Sequence, residues 1–545
     1  MKKVIALFVA AVLTLSLAAG CNSYTGGDKE SEGSGDELFT CLAGGPVTLN
    51  PILSQSSNDG DVFYLIYTAL MRMYQDEVLY DAAESYEHND DFTEYTFHLR
   101  DCTFADGTPI TAQMFEYTVY CMLTPSFGCG NADVYYMLSG AEAYNMSEED
   151  GDWSTVGCKA TDDKTLVFTL AYPDTDFVTE LAANFLIPLQ QSFVEEKGDS
   201  LGSSVENTQC SGPYILTDWQ LESSLTFEKN DKYWDAENSF PVKKIEMVEV
   251  DDANTKVAMF ENGEADAMFV VPASYIDHLG DEVTTSPANG INMMWRNSQG
   301  TNGALMSNAN FGLALSYALD RESMMNSINP TTAPAVRVVS SMFQNDAGVN
   351  FHEAYPVDYV GVGGDVEKAK EYLAAALADL NYASVDELPT LRFVTYENSE
   401  QKLIAEAIID QWKQNLGISV TLEQYTIGTA IGMFYTGDFD IFDIGIDVGV
   451  TCLSTMDSFT SGGSYDNGCW HSDEFDALIK QAKNTLDQSE RFALASQAEQ
   501  LMLSEAGIIP VFFQGNAIAA HDYVENFVVS TIGAGWQFNK LHVNK

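Results

Sequence analysis

Seven histidines, nine cysteines and eighty acidic residues give this chain ample material for chemistry, so spacing decides what they can do. The histidines (His88, His98, His278, His352, His471, His521 and His542) are scattered, and no two sit at metal-ligand spacing. HExxH, GxxxxGK[ST] and GxSxG are absent, which removes the usual zinc-protease, phosphate-loop and nucleophile-elbow geometries. Gly361, Gly363 and Gly364 precede a helical pattern but do not spell GxGxxG, and they read as a plain loop. Carboxylate pairs such as Asp251-Asp252 recur throughout so acidic a chain, and adjacency alone says nothing about acid–base work. No CxxC occurs, so dithiol redox chemistry and a cysteine zinc site both lack their geometry. No catalytic constellation stands out, and neither an enzyme nor a cofactor nor a metal is expected.

One cysteine stands apart. Lys2 and Lys3 precede an apolar run, Val4 to Leu17, broken only by Thr14 and Ser16, and then come Ala18-Ala19-Gly20 and Cys21. That is the secretory-leader pattern, and the run is too short to span a bilayer comfortably. Cys21 after small residues resembles a lipobox, in which a diacylated cysteine begins the mature chain. Ala18 stands where leucine is usual, and an ordinary secreted protein cleaved nearby is the alternative. Residues 22–36 are mostly Gly, Ser, Asp and Glu, a composition too polar to bury surface and suited to a flexible tether. Outside the cell disulfides are permitted. Cys121 and Cys129, or Cys452 and Cys469, are near enough to pair, and spacing leaves their state open, as it does for Cys41, Cys102, Cys158 and Cys210.

The elements that would position a site are mixed α/β. Leu391–Tyr396 is β-prone; Ser399–Leu416 places Leu403, Ile404, Ala407, Ile408 and Trp412 at helical spacing. Gly417 then offers a left-handed stop, and Ile418, Val420 and Leu422 alternate as a half-buried strand, completing a βαβ unit. Asp365–Leu380 is an amphipathic helix with Asp365 as N-cap. Ser489–Glu505 is another, followed by Gly507 and an apolar strand, Ile508–Phe513, entered through Pro510. About 510 residues beyond the tether exceed what one core supports, so two or three lobes are expected.

Several stretches, in order, resemble the extracellular solute-binding proteins of dipeptide and oligopeptide ABC transporters (family 5). The strongest is Tyr95-Thr96-Phe97-His98-Leu99-Arg100-Asp101 followed by Phe104-Ala105-Asp106-Gly107-Thr108-Pro109-Ile110-Thr111-Ala112. Ser211-Gly212-Pro213-Tyr214, Phe227–Trp234, Glu261–Asp266, Ala314–Glu322 and Asp473–Ile479 follow, and Ile509-Pro510 closes the set. The resemblance implies a bilobal periplasmic-binding-protein-like clamshell (type II, cluster C) with an extra inserted domain. Lobe 1 would comprise 37–78, 188–288 and 507–545, the inserted domain 79–187 and lobe 2 289–506, with hinges near Thr285–Asn292 and Ala506–Val511.

It further implies capture of a peptide in the interlobe cleft and delivery to membrane permease subunits. In peptide binders of this family main-chain groups pair with the ligand backbone and an aspartate holds its α-ammonium. The family segment reads Gly-Trp, two residues, then Asp. Here it is Gly445-Ile446-Asp447-Val448-Gly449, so Gly449 occupies the ammonium-binding place while Asp447 and Asp443 are within reach of it. Gln55, Ser57 and Asn58 after Asn50-Pro51 are expected from the first lobe, and Trp295, Arg296 and Asn297 just past the first hinge. Each has a bland alternative: core packing for Trp295, an ion pair for Arg296, a simple loop for Gln55 and Ser57.

The formal charge is -54, which excludes nucleic acid and leaves contact with the membrane to a lipid anchor only. The acidity is spread along the chain as a solvated surface, and a preference for cationic ligands would be one consequence. A monomer is expected. A non-peptide solute on the same fold (nickel chelate, haem, opine or oligosaccharide) and a peptide-sensing lipoprotein without transport are the alternatives.

Overall fold

The computed structural model describes residues 37–75, 77–147, 151–250, 252–345, 347–447, 449–530 and 535–545. Cys21, the leader and the tether lie outside the described residues, as does Val448.

A single 11-stranded sheet runs through the molecule. Its strands are β1 Leu38–Ala43, β2 Tyr214–Gln220, β3 Ser224–Lys229, β4 Lys244–Glu249, β5 Ala267–Phe269 and β6 Val283–Arg296, then β7 Leu391–Tyr396, β8 Val420–Tyr425, β9 Ile441–Asp447 and β10 Ile508–Ala520. The order is β8-β7-β9-β6-β10-β5-β1-β4-β3-β2, with the short strand Ala333–Pro334 beside β10. β6 and β10 are the long pair that belongs to both halves. Their antiparallel register is regular from Val283↔Ala519 to Pro287↔Gly515, breaks, and resumes at Ile291↔Phe513. Only Gln514 stands opposite residues 288–290 at that break, an irregularity that bends and twists the ribbon. A second slip, between Asn292 and Met293, sits opposite Pro510, which has no N–H for the ladder. Val511 is the extra residue there, and its carbonyl accepts the N–H of Ala335 at 2.9 Å.

The βαβ unit forms with the boundaries its pattern predicts. β7 and β8 are parallel and flank the helix Ser399–Leu416, which is capped by the Asn398 side chain on the N–H groups of Glu400 and Gln401. Gly417 ends it at φ 75°, the left-handed stop. Asp365 caps the helix Val366–Asp379 by accepting from the Lys368 N–H. The Ile508–Phe513 apolar run continues as far as Ala520, further than its hydrophobicity indicates, because residues 515–520 pair with β5 and the start of β6.

Buried side chains separate into bodies. One cluster joins Phe39, Leu49, Ile66, Ile187, Phe227, Met247 and Trp536. A second runs from Leu70 to Leu186 around a four-stranded sheet, Ala83–His88, Glu94–Leu99, Thr165–Thr169 and Cys158–Asp162, packed on the helix Ala112–Leu123. Two more clothe the faces of β6, β7 and β9, and they include Ile508, Ile509, Val511 and Phe512. All eight cysteines from Cys41 to Cys469 are free thiols, so neither sequence-adjacent pair is bonded. Among the described residues no helix is long and apolar enough to cross a membrane.

Candidate functional site

Strand direction locates the site. β6 travels from the first half of the sheet into the second. β5 and β1 run in the same sense as β6, since each of the steps β6 to β10 and β10 to β5 reverses direction. β9 is antiparallel to β6, and β7 and β8 follow β9. The carboxyl ends of β1, β4 and β5 therefore point at those of β7, β8 and β9, across the break at residues 288–290. Open α/β sheets bind ligands outside the carboxyl ends of their strands. Here two such edges face one another.

On the first side the rim is the segment 44–56 after β1. It is held by Asp59, fully buried in the helix Ser57–Ile66, which accepts the N–H groups of Val47 (2.6 Å) and Thr48 (3.2 Å) and the Ser54 hydroxyl (2.9 Å). Asn58 donates its amide to the Gly45 carbonyl at 3.2 Å. Gln55 and Ser57 are exposed, and Gln55 lies so close to Gly130 that a Cβ there would meet its Nε2 at 1.7 Å. Gln55, Ser57 and Asn58 stand on or just after this segment, which Asn131 joins by donating its side-chain amide to the Ser54 carbonyl at 3.1 Å.

On the second side Asp443 is fully buried in β9, accepts a hydrogen bond from Gln401 Nε2, and leaves its Oδ1 unpartnered. Burial pushes its carboxyl up to about 7, against the lowering effect of Gln401 and of the neighbouring Asn292 amide. Asn292 lies near enough to act electrostatically, yet both ends of its side-chain amide lack a partner at hydrogen-bond length. Gly445 and Gly290 flank Gln514: a Cβ on either would lie 2.4 or 2.5 Å from its amide. Ile446 packs with the core beneath, and Asp447 ends β9 opposite Gly290. Gly449 is pressed on the first turn of the helix Cys452–Asp457, where a Cβ would come within 2.4 Å of the Thr455 nitrogen. The backbone in that place has no room for the aspartate the family pattern puts there.

Trp295, Arg296 and Asn297 require a correction. They stand at the far end of β6, away from the break, and are 1–3% exposed. Trp295 packs edge-to-face on Phe434 at 5.1 Å. Arg296 donates to the carbonyls of Ala506 (2.8 Å), Asn308 (3.0 Å) and Glu505 (3.0 Å), and Asn297 to that of Phe439 (3.0 Å). Their hydrogen bonds tie the chain around Ala506 to β6 and leave no donor for a ligand.

Sequence reasoning missed the contacts that bridge the two sides. Arg491, 3% exposed in the helix Gln488–Ser504, reaches Asp174 (3.1 Å), Asp176 (3.3 Å) and the Thr175 hydroxyl (2.7 Å). Glu180 lies beside them with the Thr451 hydroxyl at 3.4 Å, and burial together with Asp174 and Asp176 holds its carboxyl well above the usual range. Ser464 donates to Asp133. These partners are far apart in sequence and belong to no motif, although Gln514 inside an apolar strand was a visible oddity.

One serine–histidine–carboxylate contact exists among the described residues. Ser461 Oγ is 2.5 Å from His471 Nδ1, and His471 Nε2 is 3.2 Å from Asp473. The hydroxyl donates to Asp476 and not to the imidazole, and all four residues but Asp476 are exposed. An exposed hydroxyl already donated to a carboxylate is a poor nucleophile.

A sequence profile of the bacterial extracellular solute-binding proteins, family 5 (middle region), matches residues 77–463. The chain belongs to that family. It is 29% identical to the dipeptide-binding protein DppE of Bacillus subtilis over 542 residues, 96% of each chain. It is also 29% identical to the oligopeptide-binding protein OppA of Bacillus subtilis over 519 residues, 92% of each. Among solved structures it superposes on Listeria monocytogenes OppA bound to peptide with a TM-score of 0.79 at 21% identity, over 94% of this chain and all of that one. The bilobal fold read from the sequence is thus the fold of the family.

Proposed function

We propose that this protein is the solute-binding receptor of an ABC importer, capturing short peptides between its lobes and delivering them to a membrane permease. The observation that carries the reading is the pair of facing carboxyl-end rims at the break in β6 and β10. Relatives named for dipeptide and oligopeptide binding across nearly the whole chain support it. Contacts made by both rims favour the closed arrangement, so ligand affinity and lobe closure are one equilibrium. The polar backbone around Gly290, Gly445 and Gln514 offers main-chain groups to an extended peptide in the manner of an added strand. An α-ammonium partner is read for Asp447 from its strand register alone, as the last residue of β9 opposite Gly290. Asp443 lies deeper and is engaged by Gln401.

The hydrophobic clusters favour lobe 1 as 37–69, 187–288 and 514–545, the inserted domain as 70–186 and lobe 2 as 289–513. That moves the second hinge from 506–511 to 513–515. Lipidation at Cys21, a tether over 22–36 and a monomeric state outside the cytoplasm complete the proposal. Catalysis is not part of it.

The test is thermal unfolding against short peptides with free or blocked amino termini. A ligand at a hundred times its dissociation constant adds about 2.7 kcal/mol. Stabilisation by free but not blocked peptides supports ammonium capture. No stabilisation by any peptide would move the reading to a non-peptide solute.

A further inference from the structure

Charge at the two rims bears on which peptides the site takes, an inference that rests on the receptor reading above. Among the described residues, the loops leaving the carboxyl ends of β1, β4, β5, β7, β8 and β9 are 44–56, 250 and 252, 270–272, 397–398, 426 and 449–451. They contain Asp252 and Glu397 and not one lysine, arginine or histidine. The side chains that reach across from the inserted body are carboxyls too, Asp133, Asp174, Asp176 and Glu180, although Arg491 already pairs with Asp174 and Asp176 and burial holds the Glu180 carboxyl well above the usual range.

A peptide carboxylate is best held by a guanidinium, whose two parallel N–H groups match its oxygens. The chain has seven arginines, and every one is engaged elsewhere. Arg72 is buried against Asp81 at 3.0 Å, Arg337 against Glu499, and Arg491 against Asp174. Arg296 and Arg321 are buried on backbone carbonyls, Arg321 on that of Pro510 at 2.8 Å. Arg392 lies between Glu423 (2.9 Å) and Asp438 (2.7 Å), and Arg100 stacks on Trp234 at 3.5 Å. Lys256 and Lys402 stand a turn inside the helices that follow two of these loops, Lys402 faces Glu406 at 3.8 Å, and Lys483, whose charge acts on Asp174, is paired with Asp457 at 2.5 Å.

We propose that the cleft is built for cationic peptides and discriminates against ligand carboxylates, including a free carboxyl terminus. Closure withdraws the ligand from water, so a carboxylate with no cationic partner loses solvation and meets like charge. A lysine or arginine side chain of the ligand meets the opposite situation. The net charge of -54 attracts the same ligands from a distance and repels anionic ones.

Calorimetric titration of the protein with four tetrapeptides of one backbone tests this: two lysines with an amidated terminus, two alanines amidated, two alanines with a free carboxylate, and two glutamates with a free carboxylate. The expected order of affinity is lysine amide, alanine amide, alanine acid, glutamate acid, with the ends separated by at least a hundredfold at low salt and less at high salt. Equal affinities, or tighter binding of either acid than of its amide counterpart, would overturn the charge preference while leaving peptide capture standing. Binding of none of the four overturns peptide capture itself, and the preference with it.

Discussion

Asp443→Asn isolates one buried carboxyl and its coupling to folding. In the folded chain burial holds this group at about 7, whereas an unfolded aspartate titrates near 3.9. The folded state therefore keeps the proton between these values while the unfolded state releases it. Stability from this group is complete below about pH 4 and is lost as pH rises through about 7. Between pH 5 and pH 8 the loss amounts to about 2.5 kcal/mol. If lobe 2 unfolds as a unit of about 200 residues, that is a fall in Tm of roughly 5–10 °C. Asparagine keeps the size and an oxygen acceptor for Gln401 but cannot titrate. The assay is differential scanning calorimetry of both proteins across that pH range. Asp61, also pushed up to about 7 by burial, is common to both, so the difference between the curves belongs to Asp443. The expected result is a variant whose Tm falls less steeply with pH. Parallel curves would refute the placement of an unpaired, titrating carboxyl at this point.

Arg491→Ala strips the buried partner from Asp174 and Asp176, which should weaken the contact between the inserted body and lobe 2 by about 3–5 kcal/mol. Small-angle scattering should then report a larger radius of gyration, and an unchanged one would deny the contact its role. Gly449→Asp restores the family's acid but sets a Cβ against the Thr455 nitrogen. It should cost about 1–3 kcal/mol and give no gain in affinity for free amino termini, as read by denaturant melts and titration. Trp295→Ala should destabilise by about 3–5 kcal/mol, measured in urea, as a packed core residue and not a ligand contact. Gln55→Ala should stay within about 0.5 kcal/mol in the same assay yet weaken peptide binding.

The local signals in the sequence translated well where a single physical rule governs. Asp365 and Gly417 mark helix ends because a cap and a left-handed residue are local requirements. The family pattern carried the global fold. It failed at Trp295–Asn297 because position after a hinge says nothing about which way a strand's side chains face. Those residues lie at the far end of β6, where carbonyls around Ala506 need donors. The Arg491–Asp174 bridge was illegible because its partners are separated by more than 300 residues and meet only when two bodies pack. Gly449 could be named as a departure from the sequence, but its cause, the close approach of the Thr455 backbone, needed coordinates.

Photo-crosslinking tests the central claim most directly. A short cationic peptide amide carrying a benzophenone side chain is bound, irradiated and mapped by mass spectrometry. Adducts confined to 44–58, 270–275, 397–401, 445–455 and 513–516, and suppressed by unlabelled peptide, are the predicted result. Competable adducts on the outer faces of either lobe, with none on these segments, would contradict the account.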